Sequence, residues 1–269
     1  DTTHAIIRYT SKGIEATELY IKTPESIIQH SIHVKYDSIQ SITSTPQHTA
    51  INASLKNTVI AVNDIYMLAP FVKKYLPEAK FKNNLVKLST QIDGTLRQLN
   101  IPVLQLSGFS GSSINAKAIL YNVTDSNNLG YDMVIFNSRI LKQDIIKFMP
   151  PGNSAINKLP PVFTLSTHLR GSLKNSLADI DITGDGFSLT GKGSLQNIDQ
   201  PEKLKYDVNI RKSKITKKFI EAIVPAGTIP PDIELPEIVS VTGIAKGDMN
   251  NIQTNAKLSG SYGNAAVNG

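Results

Sequence analysis

Along most of its length the chain alternates apolar and polar residues with a period of two. VFTLSTHL (162–169) puts Phe163, Leu165, Thr167 and Leu169 on one side, and ADIDIT (178–183) adds Ile180 and Ile182. FSLTGKGSL (187–195) adds Phe187, Leu189 and Leu195, and KLKYDVNI (203–210) adds Leu204, Tyr206, Val208 and Ile210. Upstream the same spacing picks out Val86, Leu88 and Ile92, then Leu104 and Leu106, then Ile114, Ala116 and Ala118, then Met133 and Ile135. Downstream it picks out Val239, Val241 and Ala245, then Ile252, Ala256 and Leu258. Successive side chains of a strand point to opposite faces, so each segment predicts a strand with one apolar and one polar face. GSLKN, TGDGF and NIDQPEK separate the segments and are rich in residues that accept turn dihedrals.

The segments also resemble one another. VKLSTQIDGTLRQLN (86–100) aligns with FTLSTHLRGSLKNSL (163–177) and more loosely with VSVTGIAKGDMNNIQ (239–253), with Gly94, Gly171 and Gly247 at intervals of 77 and 76. GYDMVIFNSRILKQDIIKFMPP (130–151) aligns with KYDVNIRKSKITKKFIEAIVP (205–225), and LKNTVIAVNDIYMLAP (55–70) is an earlier relative. Their prolines Pro70, Pro150 and Pro225 are 80 and 75 apart. A period of this length marks a repeat architecture. Each unit reads as four strands, a short helix and a Pro-rich break, over residues 1–80, 81–158, 159–233 and a truncated 234–269.

Four strands per unit predicts a mainly β chain of roughly 15 strands, which as one antiparallel sheet would extend about 70 Å at ~4.8 Å per strand. A sheet that wide must curl, close or split. With one apolar face per strand, two solutions remain: a filled sandwich, or a long curled sheet folded into a groove whose apolar inside is left open. A filled sandwich wants many large aromatics; the chain has 8 Phe, 9 Tyr and no Trp, which favours the groove. The inward-facing residues of the groove would be the apolar sets given above.

RILKQDIIKFMPP (139–151) breaks the alternation, with apolar residues near helical spacing and a Pro–Pro stop. Short helices are expected over 63–76, 139–149 and 214–224. They are too short to be stable alone and must lie against the sheet, either capping its edge or covering a ligand-holding interior. The run RKSKITKKF carries Arg211, Lys212, Lys214, Lys217 and Lys218. A solvated helix face explains it; attraction to acidic phospholipid headgroups is the competing reading.

Catalytic signatures are missing. His4, His30, His33, His48 and His168 come without an accompanying Asp or Glu ligand pattern, so no metal site is expected. GFSGSS (108–113) has the glycine-flanked serine of hydrolases but strand-like flanks, where a nucleophile elbow needs a strand-to-helix turn. ITGDGFSL lacks the spacing of a calcium loop, and no phosphate-binding or dinucleotide fingerprint occurs. The absence of Cys rules out disulfides and thiol chemistry. The net charge of +6 and pI near 9.3 permit an anionic partner but are spread too thinly for a nucleic-acid arm. The expectation is a non-enzyme without cofactor. No apolar run approaches the ~20 residues of a membrane helix. DTTHAIIRYT and SYGNAAVNG both interrupt strand-like patterns, so the chain is expected to be a piece of a longer protein with any anchor or export signal outside it.

The order LST…GTL.QLNI..L.LSG, an alternating pair, S.IL.QDIIKFMP and LPP.F.L…GSL resembles the AsmA-like proteins of Gram-negative envelopes, and among them the translocation and assembly module (TamB) family in the form common in Bacteroidetes. The first unit is similar too: a T-P-x-S turn in IKTPESIIQHSIHVKYDSIQSI precedes a strand ending Lys-Tyr-Asp, and VIAVNDIYMLAPFV ends at a proline. The resemblance runs through essentially the whole chain and rests on pattern. It implies an internal segment of a periplasmic bridge whose parent is held in the inner membrane by one N-terminal helix. It further implies contact with an Omp85-type outer-membrane protein through the parent's C-terminus, phospholipid carriage along an apolar groove (a β-taco), and a link to outer-membrane biogenesis and protein secretion. Two other readings stand beside it: a structural or adhesive β-repeat with a filled core, and a chaperone that offers a sheet edge to client strands.

Overall fold

The computed structural model describes residues 2–68, 73, 76–149, 159–224, 228–230 and 232–269. Fifteen antiparallel strands pair strictly in chain order into an open sheet with β1 and β15 at its edges. They are β1 (Thr2–Thr10), β2 (Gly13–Lys22), β3 (Ile27–Lys35), β4 (Ala50–Ala61), β5 (Leu85–Thr95), β6 (Gln98–Gly108), β7 (Ser112–Tyr121) and β8 (Gly130–Leu141). There follow β9 (Val162–Ser172), β10 (Asn175–Gly184), β11 (Phe187–Gln196), β12 (Lys205–Thr216), β13 (Ile238–Asp248), β14 (Ile252–Gly260) and β15 (Gly263–Asn268). The helices are α1 (Ser41–Ser44), α2 (Val62–Leu68), α3 (Glu78–Phe81), α4 (Lys142–Phe148) and α5 (Lys217–Ile223). A mainly β chain with an antiparallel sheet of this width is what the alternation predicts. The chain divides into two compact units, residues 1–136 and 137–269, a division that falls inside β8.

The meander follows from turn chemistry. Gly94 and Gly171 sit at the ends of their strands with φ of +126° and +130°, where a β-carbon would collide with the carbonyl oxygens of Gln98 and Asn175. Only glycine enters that region freely. Each pairs with the residue five positions on, Leu99 and Ser176, and Gly247 pairs with Ile252 in the same way.

α4 and α5 start later than their spacing predicts, at Lys142 and Lys217, while α2 starts at Val62, one residue before its expected 63. Ile140 and Leu141 end β8, with Leu141 extended at φ −98° and ψ 131°, and β12 likewise continues through Ile215 and Thr216. Ladder pairing of the long fourth strands overrides local helical spacing. α2 is shorter than its expected 63–76 within the described residues. The landmark prolines Pro70, Pro150 and Pro225, and Pro151 beside them, lie outside the described residues.

A second device shapes β4, β8 and β12. Each carries a buried hydroxyl four residues before its helix: Thr58 and Ser138 are fully covered and Ser213 nearly so. Asn57 and Asn137, just before the first two, adopt φ of 50° and 44°. Their backbone N–H groups donate to Ser89 Oγ (3.1 Å) and Ser166 Oγ (3.0 Å) on the following strands. In β12 the Ser213 hydroxyl stands in for a ladder partner: it donates to the Val241 carbonyl (2.8 Å) and accepts from the Val241 N–H (2.6 Å). The register shifts beside Thr58 and Ser213 mark β-bulges in β4 and β12, which raise local twist. Ser213→Ala should therefore destabilise the second unit by about 1–3 kcal/mol, because it strands a buried backbone pair. Equilibrium urea unfolding measures this; an unchanged midpoint would show the hydroxyl to be dispensable.

Candidate functional site

Ladder partners share a face, so the register decides where each predicted lining residue lies. In the first unit, Leu88, Leu106 and Ile114 form one cross-strand row together with Thr58 of β4. The next row is Leu55–Thr90–Leu104–Ala116, and Val86 sits between Ile60 and Gly108. Ile92 pairs with Ala53. Bulges in β6 keep Leu99 and Ile101 on this same face as Leu104 and Leu106, because Ile101 pairs with Ala118 two places along β7 from Ala116. Met133 and Ile135 lie half-buried in β8.

In the second unit the rows cross more strands. Leu165, Ile182 and Leu189 continue to Ser213. Thr167, Ile180, Gly191, Ile210, Gly243, Ala256 and Val267 run from β9 to β15. Leu169, Ala178, Gly193, Val208 and Ala245 run beside them. Phe163, Gly184, Phe187, Ile215 and Val239 make the row nearest α5, and Leu195, Tyr206, Gly247 and Ile252 the farthest. Val241 pairs with Leu258. Leu204 differs from its expected place: it precedes β12, after a 3-10 turn at Pro201–Lys203, and belongs to no row.

Of the apolar residues in the predicted lining sets, Val86, Ala116, Ala118, Phe163 and Ala256 are buried, Ile252 is exposed and the rest are half-buried. Ile252 stands out, 62 % exposed, since its ladder neighbour Gly247 has no side chain and β15 pairs only with Asn255–Gly260. The apolar face is thus neither sealed like a core nor open like a surface.

At one end the face is filled by the protein itself. Val62 and Tyr66 of α2 and Phe81 of α3 pack on Val86, flanked by Leu76, Leu106 and Phe109. Phe81 meets Phe109 edge-on with centroids 5.3 Å apart, and the Tyr66 hydroxyl donates to the Leu76 carbonyl at 2.7 Å. Burial pushes the Tyr66 phenol above its ordinary pKa, with Glu78 adding to the shift. The T-P-x-S turn holds α2 down: Thr23 Oγ1 donates to the Asp64 carboxylate at 2.8 Å, Ser26 Oγ donates to it as well, and Ser26 Oγ accepts from Ala61 N–H at 2.9 Å. In the second unit Phe219 of α5 stacks on Phe187 at 4.8 Å and 20°.

The opposite face is polar and paired. Asp179 meets Lys192 at 2.6 Å and Arg170 at 3.6 Å, and Asp207 meets Lys246 at 4.0 Å. The hydrogen bond from Lys192, with the nearby positive charges, holds the Asp179 carboxyl below the usual range. Asp248 is lowered too, by the backbone N–H groups of Asn250 and Asn251. This face has two depressions, of about 450 and 460 Å³. Asn57, Lys87, Ser89, Gln105, Ser107, Ser113 and Asn115 surround the first, together with Val59, Leu88, Leu106 and Ile114. Ser194, Gln196, Lys205, Asp207, Lys246, Asp248 and Gln253 surround the second. Both linings mix polar side chains with apolar surface, including Tyr206 in the second.

GFSGSS forms the hairpin between β6 and β7, where Gly111 N–H donates to the Gly108 carbonyl at 2.9 Å. Among the described residues no group of three or more His, Asp or Glu could hold a metal, and no helix is long and apolar enough to cross a membrane. Sequence reasoning missed Asp64 and the buried hydroxyls Thr58, Ser138 and Ser213. The signal for the hydroxyls was present, in the aligned stretches NTVI, NSRI and KSKI. No family model matches the chain, and neither a curated protein nor a solved structure matches it significantly.

Proposed function

We propose that the chain is a segment of an intermembrane lipid-transfer bridge, whose apolar rows receive the acyl chains of phospholipid. The observation that carries this reading is the half-covered state of the rows: leucines, isoleucines and valines at matched register across adjacent strands, with part of each side chain still accessible. Transfer of hydrocarbon from water to such a surface is worth about 0.8 kcal/mol per methylene. Because neighbouring rows are chemically alike, one position is worth about as much as the next, which suits sliding better than capture. No catalytic group is needed for that task. The resemblance to the TamB family supports the same reading. With it come the further proposals of a periplasmic location, a parent anchored in the inner membrane, an Omp85-type partner beyond this chain, and a role in outer-membrane biogenesis.

The test is organic-solvent extraction of the purified 269-residue chain, followed by lipid analysis before and after incubation with phosphatidylcholine vesicles. Phospholipid should be recovered with the protein in stoichiometric amount. A chain that carries no lipid and takes none up would overturn the reading in favour of a β scaffold.

A further inference from the structure

We propose that the outer edge of β15 docks a second copy of this chain, the two β15 strands pairing antiparallel about a two-fold axis normal to the sheet. The pairing goes beyond the lipid reading and does not depend on it. β15 (GNAAVN, Gly263–Asn268) is exposed along its whole length. An edge strand presents a row of unpaired backbone groups, and proteins guard such edges with charges, prolines or bulges. β15 has none of these guards. It carries no charged residue and no proline, and its ladder with β14 runs unbroken from Asn255–Asn268 to Gly260–Gly263. Lys257 is the only charged residue of β14 and β15 together. The other edge of the sheet is guarded: β1 is bulged between His4 and Ile6, and it carries Arg8 against Glu15 (4.0 Å) and His4 against Glu18 (3.8 Å).

The register decides which backbone groups are free. Thr254 and Gly269 exchange hydrogen bonds, each N–H donating to the other's carbonyl. Bonded and non-bonded pairs alternate along an antiparallel ladder, so Gly263, Ala265 and Val267 also turn their backbone groups toward β14. The N–H and C=O groups of Asn264, Ala266 and Asn268 therefore point outward. That row is self-complementary about Ala266. With Ala266 opposite its own copy, Asn264 of each chain faces Asn268 of the other, and every outward residue gains a reciprocal partner. Opposed residues share a face. Amide then meets amide on the polar face, while Val267, 42 % exposed, meets Ala265 on the apolar face. Both apolar faces thus lie on one side of the joined sheet. Lys257, one strand in, stays about 14 Å from its copy at ~4.8 Å per strand, beyond the screening length. In an antiparallel order of fifteen strands β1 and β15 run the same way. Head-to-tail union would therefore be parallel, the less stable pairing, whereas two like edges meet antiparallel. One strand per copy buries less than the roughly 1,200 Å² of a lasting interface, so the dimer is weak and concentration-dependent.

Sedimentation equilibrium of the 269-residue chain, from micromolar to millimolar concentration, reads the association. The mass should rise from one copy toward two and go no further, because a two-fold contact is closed. Ala266→Pro removes the central N–H, which points outward and serves no bond within the chain. Its circular dichroism should match the wild type while association weakens about tenfold or more, both hydrogen bonds of the central pair being lost. Ala266→Asp lies beside Lys257 within its own chain but opposes two carboxylates across the axis, so it should stay monomeric. Ala266→Lys should stay monomeric too, and an equimolar mixture of the two charge variants should associate again. A wild-type chain that remains monomeric throughout would overturn the proposal and leave the edge to a strand of another protein. Association that survives in Ala266→Pro, a charge-variant mixture that fails to associate, or growth beyond two copies would equally overturn it, by placing the contact elsewhere.

Discussion

Phe81→Ala should lower the stability of the first unit by about 3–5 kcal/mol, the cost of emptying a fully enclosed aromatic site. Phe81 is the largest side chain in the described structure with essentially no solvent exposure, and it joins two short helices to the sheet by packing among Val62, Tyr66 and Val86. Neither α2, at seven residues, nor α3, at four, can persist without that contact. Removal of the ring therefore empties a cavity and also releases the cover over Val86 and Leu106. Phe109, which meets Phe81 only by its edge and is itself half-buried, should matter less, at about 1–2 kcal/mol for Phe109→Ala. Circular dichroism during urea titration separates the two variants. Equal midpoints for Phe81→Ala and the wild type would mean that the helices are ornaments on a sheet stable without them.

That dependence explains what could be read in advance. The strands were legible because their alternation is a property of neighbours two apart, and pairing with the adjacent segment reinforces the same periodicity. Leu165, Ile182 and Leu189 fall in one row as their spacing requires. Local pattern fails where a bulge inverts parity. In β12 the apolar face passes from Tyr206, Val208 and Ile210 to Ser213 and Ile215, an even-to-odd switch made by the extra residue at Arg211. In β6 the face passes from Leu99 and Ile101 to Leu104 and Leu106. A one-residue insertion turns every later side chain over, so Thr58 and Ser213 look like ordinary polar-face residues until the register is known. The Asp64 clamp was hidden for another reason: Thr23 and Ser26 are some forty residues from their partner, and nothing local couples them.

If the apolar rows receive acyl chains as proposed, Val208→Asp, or Leu189→Arg, should block phospholipid uptake while leaving the fold in place. Both residues are half-buried members of interior rows, Val208 between Gly193 and Ala245 and Leu189 between Ile182 and Ser213. Glycine and alanine on either side of Val208 leave room for a carboxylate to reach water, so the folded chain can accommodate the substitution without burying an unpaired charge. An acyl chain crossing that point cannot do so without stripping the carboxylate or bending away. Loss of contact over about four methylenes at ~0.8 kcal/mol each amounts to roughly 3 kcal/mol, a factor of about a hundred in occupancy at that row. Val208→Leu, equal in chemistry and larger, should carry lipid as the wild type does, which separates a charge barrier from a steric one. The measurement pairs thermal melting of the 269-residue chain with its phospholipid uptake from vesicles. A variant that melts like the wild type and takes up as much lipid would remove Val208 from the path. If Leu189→Arg behaved the same way, the apolar rows would be a structural surface and not a conduit.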